Sequence, residues 1–251
     1  MMDTQPANLP PHDDTSASGP KPAAEVFEEA EALDLDKQRP IGPDEGFGQL
    51  WRKIHRVRLE GVDVSPEQVI TTWKEHFAEF WPGDNRFYGE ITGLKPGELA
   101  VINIELAANT TLSTGVILVD SSPTSFTLMT PTGHMLAGLL TFSAFREDKT
   151  TVAQAEILMR ASDPIFEIGM VLLGHRRENE FWEATLRNVA AHFGVSVRPQ
   201  TTVVREDGHY KWGNAGNIRY NGAIRNGLVR LRVFARRLIE RVRPNQADES
   251  A

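Results

Sequence analysis

Three groups of residues in this 251-residue chain carry side chains suited to acid–base or metal chemistry. His134 stands between two glycines in the stretch GHMLAG, where an imidazole could bind a carboxylate or move a proton. Tyr88 is a second acid–base candidate. His175, Glu178 and Asn179 have the i, i+3, i+4 spacing of metal ligands on a helix, but no second histidine lies near them. We therefore expect these three to form a solvated helix face, and we predict no metal and no cofactor.

The corner around His134 is unusually apolar for a connection between two strands. Met135 and Leu136 follow the histidine directly, where a turn exposed to water would carry polar residues. One interpretation places this corner at the mouth of an apolar cavity, with Met135 and Leu136 as gate residues. The alternative is a turn histidine that hydrogen-bonds a backbone carbonyl, beside loop residues that pack onto the sheet.

The composition and the missing motifs exclude several classes of protein. The chain has no cysteine, so disulfides, thiolate catalysis and cysteine-ligated metals are ruled out. The dinucleotide glycine motif, the Walker loop, the zincin motif and the serine-hydrolase elbow are all missing from the sequence. No apolar stretch approaches the roughly 20 residues of a membrane-spanning helix, and the N-terminus does not resemble a secretory signal. We expect a cytoplasmic protein that could contact a membrane only peripherally.

The middle of the chain alternates in hydropathy with the period of β-strands. Each of these runs has one apolar face, which predicts antiparallel strands covered on one side. Glu105 and Glu156 fall opposite the apolar faces and are predicted to face solvent, with Arg160 able to pair with Glu156. The predicted strands are 52–64, 87–92, 99–106, 113–120, 125–130, 138–147 and 150–160.

Two helices frame these strands. The first begins at Ser65, whose capping-box spacing with Gln68 marks an N-terminus, and it ends before Pro82. The second runs for about 30 residues from Pro164, and Gly169 and Gly174 predict a kink near its start. Its expected buried stripe is Ile168, Val171, Leu172, Trp182, Leu186, Val189 and Phe193.

Charge is divided between the two ends of the chain. The net charge is −7, yet residues 1–50 hold eleven acids against three bases, and residues 209–243 hold nine bases against one acid. We predict a disordered acidic arm over residues 1–45. Residues 195–251 are predicted to form an extension with a basic amphipathic helix. Few aromatic residues accompany its arginines, so nucleic acid is a disfavoured partner.

The order of strand, short helix, antiparallel strands and long helix resembles the helix-grip superfamily, which includes START-like domains, birch-pollen-allergen-like proteins and polyketide cyclases (the SRPBCC group). The resemblance covers residues 46–194 and is carried by GLLTFSAFRED, TTVAQAEILMR, ASDPIFEIG and FWEATLRNVAAHFG. It implies an α+β fold in which a curved antiparallel sheet of about six to seven strands grips one long helix. It also implies a cavity between the sheet and the helix that holds an apolar ligand.

Three functional hypotheses follow. The first is the binding or transport of a small apolar or lipid-like ligand, with an anionic membrane surface as a candidate partner of residues 218–243. The second is a cyclase- or hydrolase-type enzyme with His134 or Tyr88 as its acid–base group. The third is an interaction module acting through the Arg-rich tail, which could also dock on its own domain, on a partner helix or on the acidic arm. The predicted ligand-binding residues are Trp73, Phe77, Tyr88, Ile104, Phe126, His134, Met135, Leu136, Phe142, Ile157, Ile168, Leu172 and Trp182.

Overall fold

The structure, a computed structural model, describes residues 39–107 and 110–228 of the chain. In this part of the chain nine strands and one long helical stretch form an α+β fold, so the predicted fold class is confirmed. The strands are β1 (Pro40–Ile41), β2 (Leu50–Leu59), β3 (Arg86–Tyr88), β4 (Leu99–Ala107), β5 (Thr110–Ser121), β6 (Ser125–Pro131), β7 (Leu136–Glu147), β8 (Thr150–Ala161) and β9 (Gln200–Asp207).

All nine strands belong to one curved antiparallel sheet. Its order is β3-β4-β5-β6-β7-β8-β2-β9, and β1 pairs separately with β6. The chain therefore runs as a meander from β3 to β8, and β2 then closes onto β8. Each meander connection is short, and the one between β7 and β8 places Asp148 at φ 55°. The sheet has more than the six to seven strands expected, because β1 was not predicted and β9, which overlaps a possible strand over residues 195–204, joins the same sheet.

The short helix α1 (Pro66–Glu75) begins as its sequence predicts. The Ser65 hydroxyl accepts a hydrogen bond from the Gln68 N–H at 3.2 Å, and the Gln68 side chain accepts one from the Ser65 N–H at 2.8 Å. This reciprocal cap satisfies backbone donors that would otherwise lack partners. Val69, Ile70 and Trp73 are fully buried, so α1 covers part of the sheet.

The long helical stretch consists of α2 (Pro164–Gly169), a π-helical segment (Met170–Gly174) and α3 (His175–His192). Asp163 caps its start by accepting hydrogen bonds from the N–H groups of the second and third helical residues at 2.8 and 3.0 Å. The irregularity predicted from Gly169 and Gly174 is thus a turn containing one extra residue, bounded by these glycines. At Gly174 a Cβ would lie 2.5 Å from the Met170 sulfur, so a larger residue there would make the Met170 side chain shift.

The π-helical segment changes which residues face the sheet. The extra residue shifts the helical phase, so Phe166 and Met170 are buried in line with Trp182. Ile168 and Leu172, which we expected in the buried stripe, are 62% and 71% exposed. The prediction was wrong there because it continued a regular 3.6-residue period through the π turn. Farther along α3 the stripe is correct, since Leu186 and Val189 are fully buried.

The outer face of the sheet is covered around Arg160, contrary to expectation. Arg160 is 2% exposed, and it bonds to Asp207, to the Gly48 carbonyl and to the His209 carbonyl rather than to Glu156. Chain segments before β2 and after β9 fold over this face and bring these partners to it. The predicted solvent position of Arg160 was therefore wrong, whereas Glu105 is exposed as expected.

Part of the predicted extension 195–251 is integrated into this fold. Strand β9 pairs with β2, and the 3-10 segment Trp212–Tyr220 is held by hydrogen bonds from Asn214 and Asn217 to backbone carbonyls. Residues 222–228 begin a helix. The domain boundary at residue 194 stays a prediction. The sheet continues past this residue, because β9 pairs with β2. The acidic arm up to residue 38 and the basic residues from 229 onward lie outside the described residues.

No helix within residues 39–107 and 110–228 is long and apolar enough to cross a membrane.

Candidate functional site

A cavity of about 420 Å³ lies between the sheet and the long helical stretch. Its walls come from strands β4 to β7, from the π-helical segment and α3, and from the residues that follow α1. Most of its lining is apolar or aromatic, which is typical of sites for small organic ligands. The apolar lining residues are Phe77, Trp81, Ile102, Ile104, Val116, Leu128, Met135, Leu136, Leu140, Met170, Phe181, Trp182 and Ala184.

Polar residues of the lining fall into two groups. Glu105, Arg177 and Glu180 are exposed and mark the side of the cavity that opens to solvent, beside the loop after α1. His134 and Glu178 are largely buried and offer polar atoms to an otherwise apolar interior. The arrangement can therefore bury an apolar molecule and orient it through very few polar contacts.

Six of the thirteen predicted ligand-binding residues lie on the cavity wall. They are Phe77, Ile104, His134, Met135, Leu136 and Trp182. Four others are fully buried in the neighbouring core, where they pack without reaching the cavity: Trp73, Phe126, Phe142 and Ile157. Tyr88 stands on β3 outside the lining, within 3.5 Å of the Asn103 amide nitrogen, and burial raises the pKa of its phenol. Ile168 and Leu172 face solvent. Whether the six wall residues bind a ligand stays a prediction.

His134 is buried at the inner wall of the cavity rather than exposed at its mouth. Its exposed fraction is 4%, because the chain around Gly222 crosses the corner and donates a hydrogen bond to the Gly133 carbonyl at 2.9 Å. The Nδ1 atom accepts a hydrogen bond from the Leu136 N–H at 2.9 Å, which places the ring hydrogen on Nε2. Burial lowers the pKa of His134 to about 4, so the ring is neutral at physiological pH.

A buried ion pair joins the sheet to the helix at the cavity. Lys53 on β2 points inward, is fully buried, and donates hydrogen bonds to Glu178 Oε2 and, at 3.2 Å, to the His175 carbonyl. The Glu178 carboxylate also has a side-chain hydrogen bond with Trp182, one turn farther along α3. The carboxylate is therefore held by donors from both the sheet and the helix.

The electrostatics of Glu178 reflect two opposing causes. Burial raises the pKa of its carboxyl group, and the Lys53 ammonium works in the opposite direction by favouring the ionised form. Its environment differs from our expectation of a solvated helix face, since the Glu178 side chain is only 13% exposed. The wrong prediction arose because the buried partner, Lys53, lies 125 positions away in the sequence.

Two more histidines lie near this ion pair. Burial, with a smaller effect of the Lys53 charge, lowers the pKa of both His55 and His175 to about 4. His55 Nδ1 lies 3.0 Å from the Thr201 hydroxyl, which itself donates to Glu183 at 2.8 Å. These contacts tie β2, β9 and α3 together. Across residues 39–107 and 110–228, no group of three or more acidic or histidine side chains is arranged to hold a metal ion.

Sequence reasoning missed the inner face of β2. We predicted a strand over residues 52–64 without assigning its inner face, and the residues that point inward are Lys53, His55, Val57 and Leu59. A period-2 reading backward from Val57 would have placed Lys53 and His55 inside, and two polar residues on a core face would have signalled a site. The missed wall residues Trp81, Met170 and Phe181 carry no such signal, because cavity and core positions follow the same apolar pattern.

The similarity of this chain to known proteins is remote. Neither a family model nor a curated protein sequence matches the chain. Among solved structures, the ginseng major latex-like protein 151 of Panax ginseng is 11% identical over 58% of this chain and 99% of its own, with a TM-score of 0.40. The di-domain ARO/CYC protein StfQ of the steffimycin biosynthetic pathway is 13% identical over 69% of this chain and 56% of its own, with a TM-score of 0.45. A conserved protein from Geobacillus kaustophilus is 11% identical over 59% of this chain and 99% of its own, with a TM-score of 0.43. The curved antiparallel sheet packed against one long helical stretch is the arrangement that the sequence resemblance implied.

Proposed function

We propose that this protein binds and carries a small apolar or lipid-like molecule in the cavity between the sheet and the long helix. The observation that supports this function is the cavity itself, about 420 Å³ with a largely apolar and aromatic wall. Its size lies within the range of about 300–1,000 Å³ typical of small-molecule sites. Affinity would come from burial of apolar ligand surface, at about 25 cal/mol per Å².

The direct test is native mass spectrometry of the protein purified from its host, which should show a co-purified small molecule. Ala184→Phe places a ring into the cavity from α3 and should remove that molecule. Ala191→Phe is the matched control, because Ala191 is exposed on the same helix and distant in sequence from the lining. A ligand-free wild-type protein, or equal occupancy in both variants, would contradict the carrier function.

For the alternative hypothesis of a cyclase- or hydrolase-type enzyme, one of the two acid–base candidates lies on the cavity wall. His134 lines the cavity and offers an Nε2–H to a substrate, whereas Tyr88 is not part of the lining. The neutral state of His134 suits hydrogen bonding better than proton abstraction, since its conjugate acid is strong. A His134→Ala variant with unchanged turnover of every accepted substrate would remove this histidine from the enzyme hypothesis.

The surface beside the cavity favours ligand exchange at an anionic membrane. Five large apolar side chains of α2 and the π-helical segment are at least 45% exposed: Ile165, Ile168, Val171, Leu172 and Leu173. Exposed apolar patches of this kind mark membrane or protein contacts. Arg176 follows this patch on the same helix, where it pairs with Glu180, and the segment carrying the exposed Arg219 packs against α2. An apolar surface bordered by an exposed arginine fits anionic phospholipid.

Flotation with phosphatidylserine vesicles tests this membrane contact and separates it from the predicted contact through residues 218–243. The patch variant Ile168→Ser/Leu172→Ser should lose flotation, and high salt should weaken flotation of the wild type. A chain ending at Leu228 is a better tail truncation than one ending at Gly194, which would remove β9 from the sheet. If the patch variant floats like the wild type, α2 and the π-helical segment do not bind the membrane. A dimer that the patch variant abolishes would instead identify a second copy as the occupant.

A further inference from the structure

The ring of His134 has one nitrogen that makes no hydrogen bond to the described residues. His134 belongs to the cavity lining, and its Nδ1 atom accepts a hydrogen bond from the Leu136 N–H at 2.9 Å. A hydrogen on Nδ1 would meet this N–H head on, so the hydrogen of the neutral ring lies on Nε2. The two ring nitrogens point in different directions, and Nε2–H is therefore a donor directed away from the backbone of the turn.

Nε2 of His134 differs from the unpaired ring nitrogens of the neighbouring histidines. His55 Nε2 and His175 Nδ1 are enclosed by the protein, each with less than 1 Å² of accessible surface. Nε2 of His134 does not belong to these enclosed atoms, although the residue as a whole is only 4% exposed. This nitrogen therefore remains accessible to another molecule.

The chain that follows the 3-10 segment closes the outer side of this ring. We call residues 221–226 the strap. The Gly222 N–H donates a hydrogen bond to the Gly133 carbonyl at 2.9 Å, and a Cβ at Gly222 would lie 2.5 Å from that oxygen. The Asn226 side chain donates to the Ser113 carbonyl at 3.1 Å. Because the strap shields the ring from bulk water, the accessible surface of Nε2 faces the cavity.

Two other polar side chains of the cavity wall are already bonded within the protein. Both ends of the Asn85 amide are bonded to backbone groups, each at 3.0 Å. The Glu178 carboxylate is held by Lys53 and Trp182. A hydrocarbon ligand would leave the Nε2–H donor of His134 without a partner, and an unmet donor in an apolar interior is unfavourable.

The charge state of His134 selects the class of acceptor. Burial lowers the pKa of this histidine to about 4, so only about one ring in a thousand carries a charge at pH 7. A ligand carboxylate would therefore lose its hydration without meeting a cation at this ring. A neutral carbonyl oxygen accepts the hydrogen and adds no charge to the interior.

Resting on the proposed carrier function, we propose that the ligand is a neutral apolar molecule bearing a carbonyl oxygen, which accepts a hydrogen bond from His134 Nε2–H. The aromatic wall of Trp81, Phe181 and Trp182 holds its apolar body. His134 thus favours ketones, esters and amides over hydrocarbons and carboxylates of the same shape.

Three aromatic probes of nearly equal shape test this specificity by isothermal titration calorimetry on the full-length, delipidated chain. They are 2-acetonaphthone, 2-isopropenylnaphthalene, which replaces the carbonyl oxygen by a methylene group, and 2-naphthoate. We expect the ketone to bind roughly fivefold or more tightly than the alkene, in line with one hydrogen bond, and the carboxylate to bind weakest. Equal affinities of the ketone and the alkene would overturn the carbonyl contact.

Nuclear magnetic resonance of wild-type protein carrying ¹⁵N-labelled histidine reports on the same contact without a substitution. Long-range ¹H–¹⁵N spectra should show His134 protonated at Nε2, and this resonance should shift with 2-acetonaphthone but much less with the alkene. His192 is the internal control, because it is exposed on α3 and does not line the cavity. A hydrogen on Nδ1, or an Nε2 resonance that ignores the ketone, would overturn the proposal.

The variant His134→Asn removes the donor and keeps the turn. Its side-chain oxygen can replace Nδ1 as the acceptor of the Leu136 N–H, but the side chain is too short to reach the position of Nε2. It should bind the ketone and the alkene with equal affinity. His192→Asn is the matched control and should keep the preference for the ketone. A preference that persists in His134→Asn would overturn the assignment to this ring.

The outcomes separate the two proposals. If wild-type protein binds none of the three probes, the carrier function itself is rejected. If it binds the ketone and the alkene equally and Ala184→Phe abolishes both, the carrier function stands and the carbonyl contact is wrong. Circular dichroism melts of each variant show whether a loss of binding reflects unfolding.

Discussion

Two ion pairs lie on opposite faces of the same sheet, and they differ in how deeply their carboxylates are buried. On the outer face Asp207 accepts from Arg160 through Oδ2 at 2.6 Å and from the His209 N–H through Oδ1 at 2.9 Å, and its side chain is 33% exposed. On the inner face Glu178 accepts from Lys53, and its side chain is only 13% exposed. The outer pair ties chain segments together near the surface, whereas the inner pair joins β2 to α3 inside the fold.

The pKa values of the two carboxylates shift in opposite directions for physical reasons visible in these contacts. Hydrogen bonds from Arg160 and His209 lower the pKa of Asp207, whose side chain is 33% exposed. Burial raises the pKa of Glu178 despite the neighbouring Lys53. In the same kind of ion pair the carboxylate therefore ionises more readily where water remains close, and less readily where water is excluded.

The largest expected effect comes from breaking the inner pair on one side only. Lys53→Met leaves Glu178 in the apolar interior without its cation, which should lower the free energy of unfolding by about 3–5 kcal/mol. Urea denaturation at pH 7 measures this. The double variant Lys53→Met/Glu178→Leu should recover most of the loss, since no unpaired charge remains. A loss below about 1 kcal/mol in Lys53→Met would show that the pair is not buried as described.

The next largest effect is a pH dependence of the stability of the fold. It comes from His134, His55 and His175, which are all buried as neutral rings. Their folded pKa of about 4 lies below the ordinary value of 6.5, so the unfolded chain binds more protons between these limits. Stability should be complete above pH 6.5 and fall as the pH decreases toward 4. For the most deeply buried ring, His134, the loss should reach about 3 kcal/mol.

Urea midpoints measured from pH 7.5 to pH 4 test this. His134→Asn keeps an acceptor for the Leu136 N–H but does not titrate, so it should flatten part of the slope. An identical slope in wild type and His134→Asn would show that this ring does not govern the acid transition.

A smaller effect is expected from the outer pair. Asp207→Asn weakens the contact to Arg160 but leaves that side chain its two carbonyl partners, at 2.7 Å and 3.0 Å. It should therefore destabilise the protein less than Lys53→Met does at pH 7. Because the folded pKa of Asp207 is depressed, the difference between Asp207→Asn and wild type should persist down to about pH 4 and vanish below it. Thermal melts of these proteins across this range test the expected order. A larger loss of stability in Asp207→Asn than in Lys53→Met would contradict it.

The smallest effect on stability should come from the exposed apolar patch. Leu172→Ser removes a side chain that is 71% exposed, so the free energy of unfolding should change by less than about 0.5 kcal/mol. Leu186→Ala on the buried part of the same long helical stretch should cost about 2–5 kcal/mol. Parallel urea titrations compare the two. A large loss in Leu172→Ser would mean that the patch is covered in solution.

Much of the fold was predictable from local patterns. The meander strands follow alternation that is set by neighbouring residues, and the caps at Ser65 and Asp163 depend on hydrogen bonds spanning three residues at most. The helical phase at Ile168 and Leu172 was not predictable in this way, because the extra residue of the π turn depends on packing that Gly174 and Met170 make together.

The candidate site was less predictable than the fold. His134, Met135 and Leu136 stood out because apolar residues are unusual at a strand corner. Alternation from Val57 could have placed Lys53 on the inner face, but it could not have identified Glu178 as its partner. That pairing depends on the contact of β2 with α3, two elements that lie far apart in the sequence.

The most direct test of our central claim, that the cavity holds a small apolar molecule, is a crystal structure of the full chain purified from its host. We predict a small molecule between the sheet and α3, in contact with Trp81 and Trp182. A molecule bound outside this cavity, or an interior closed by Trp81 and Phe181 with no room for a ligand, would contradict it.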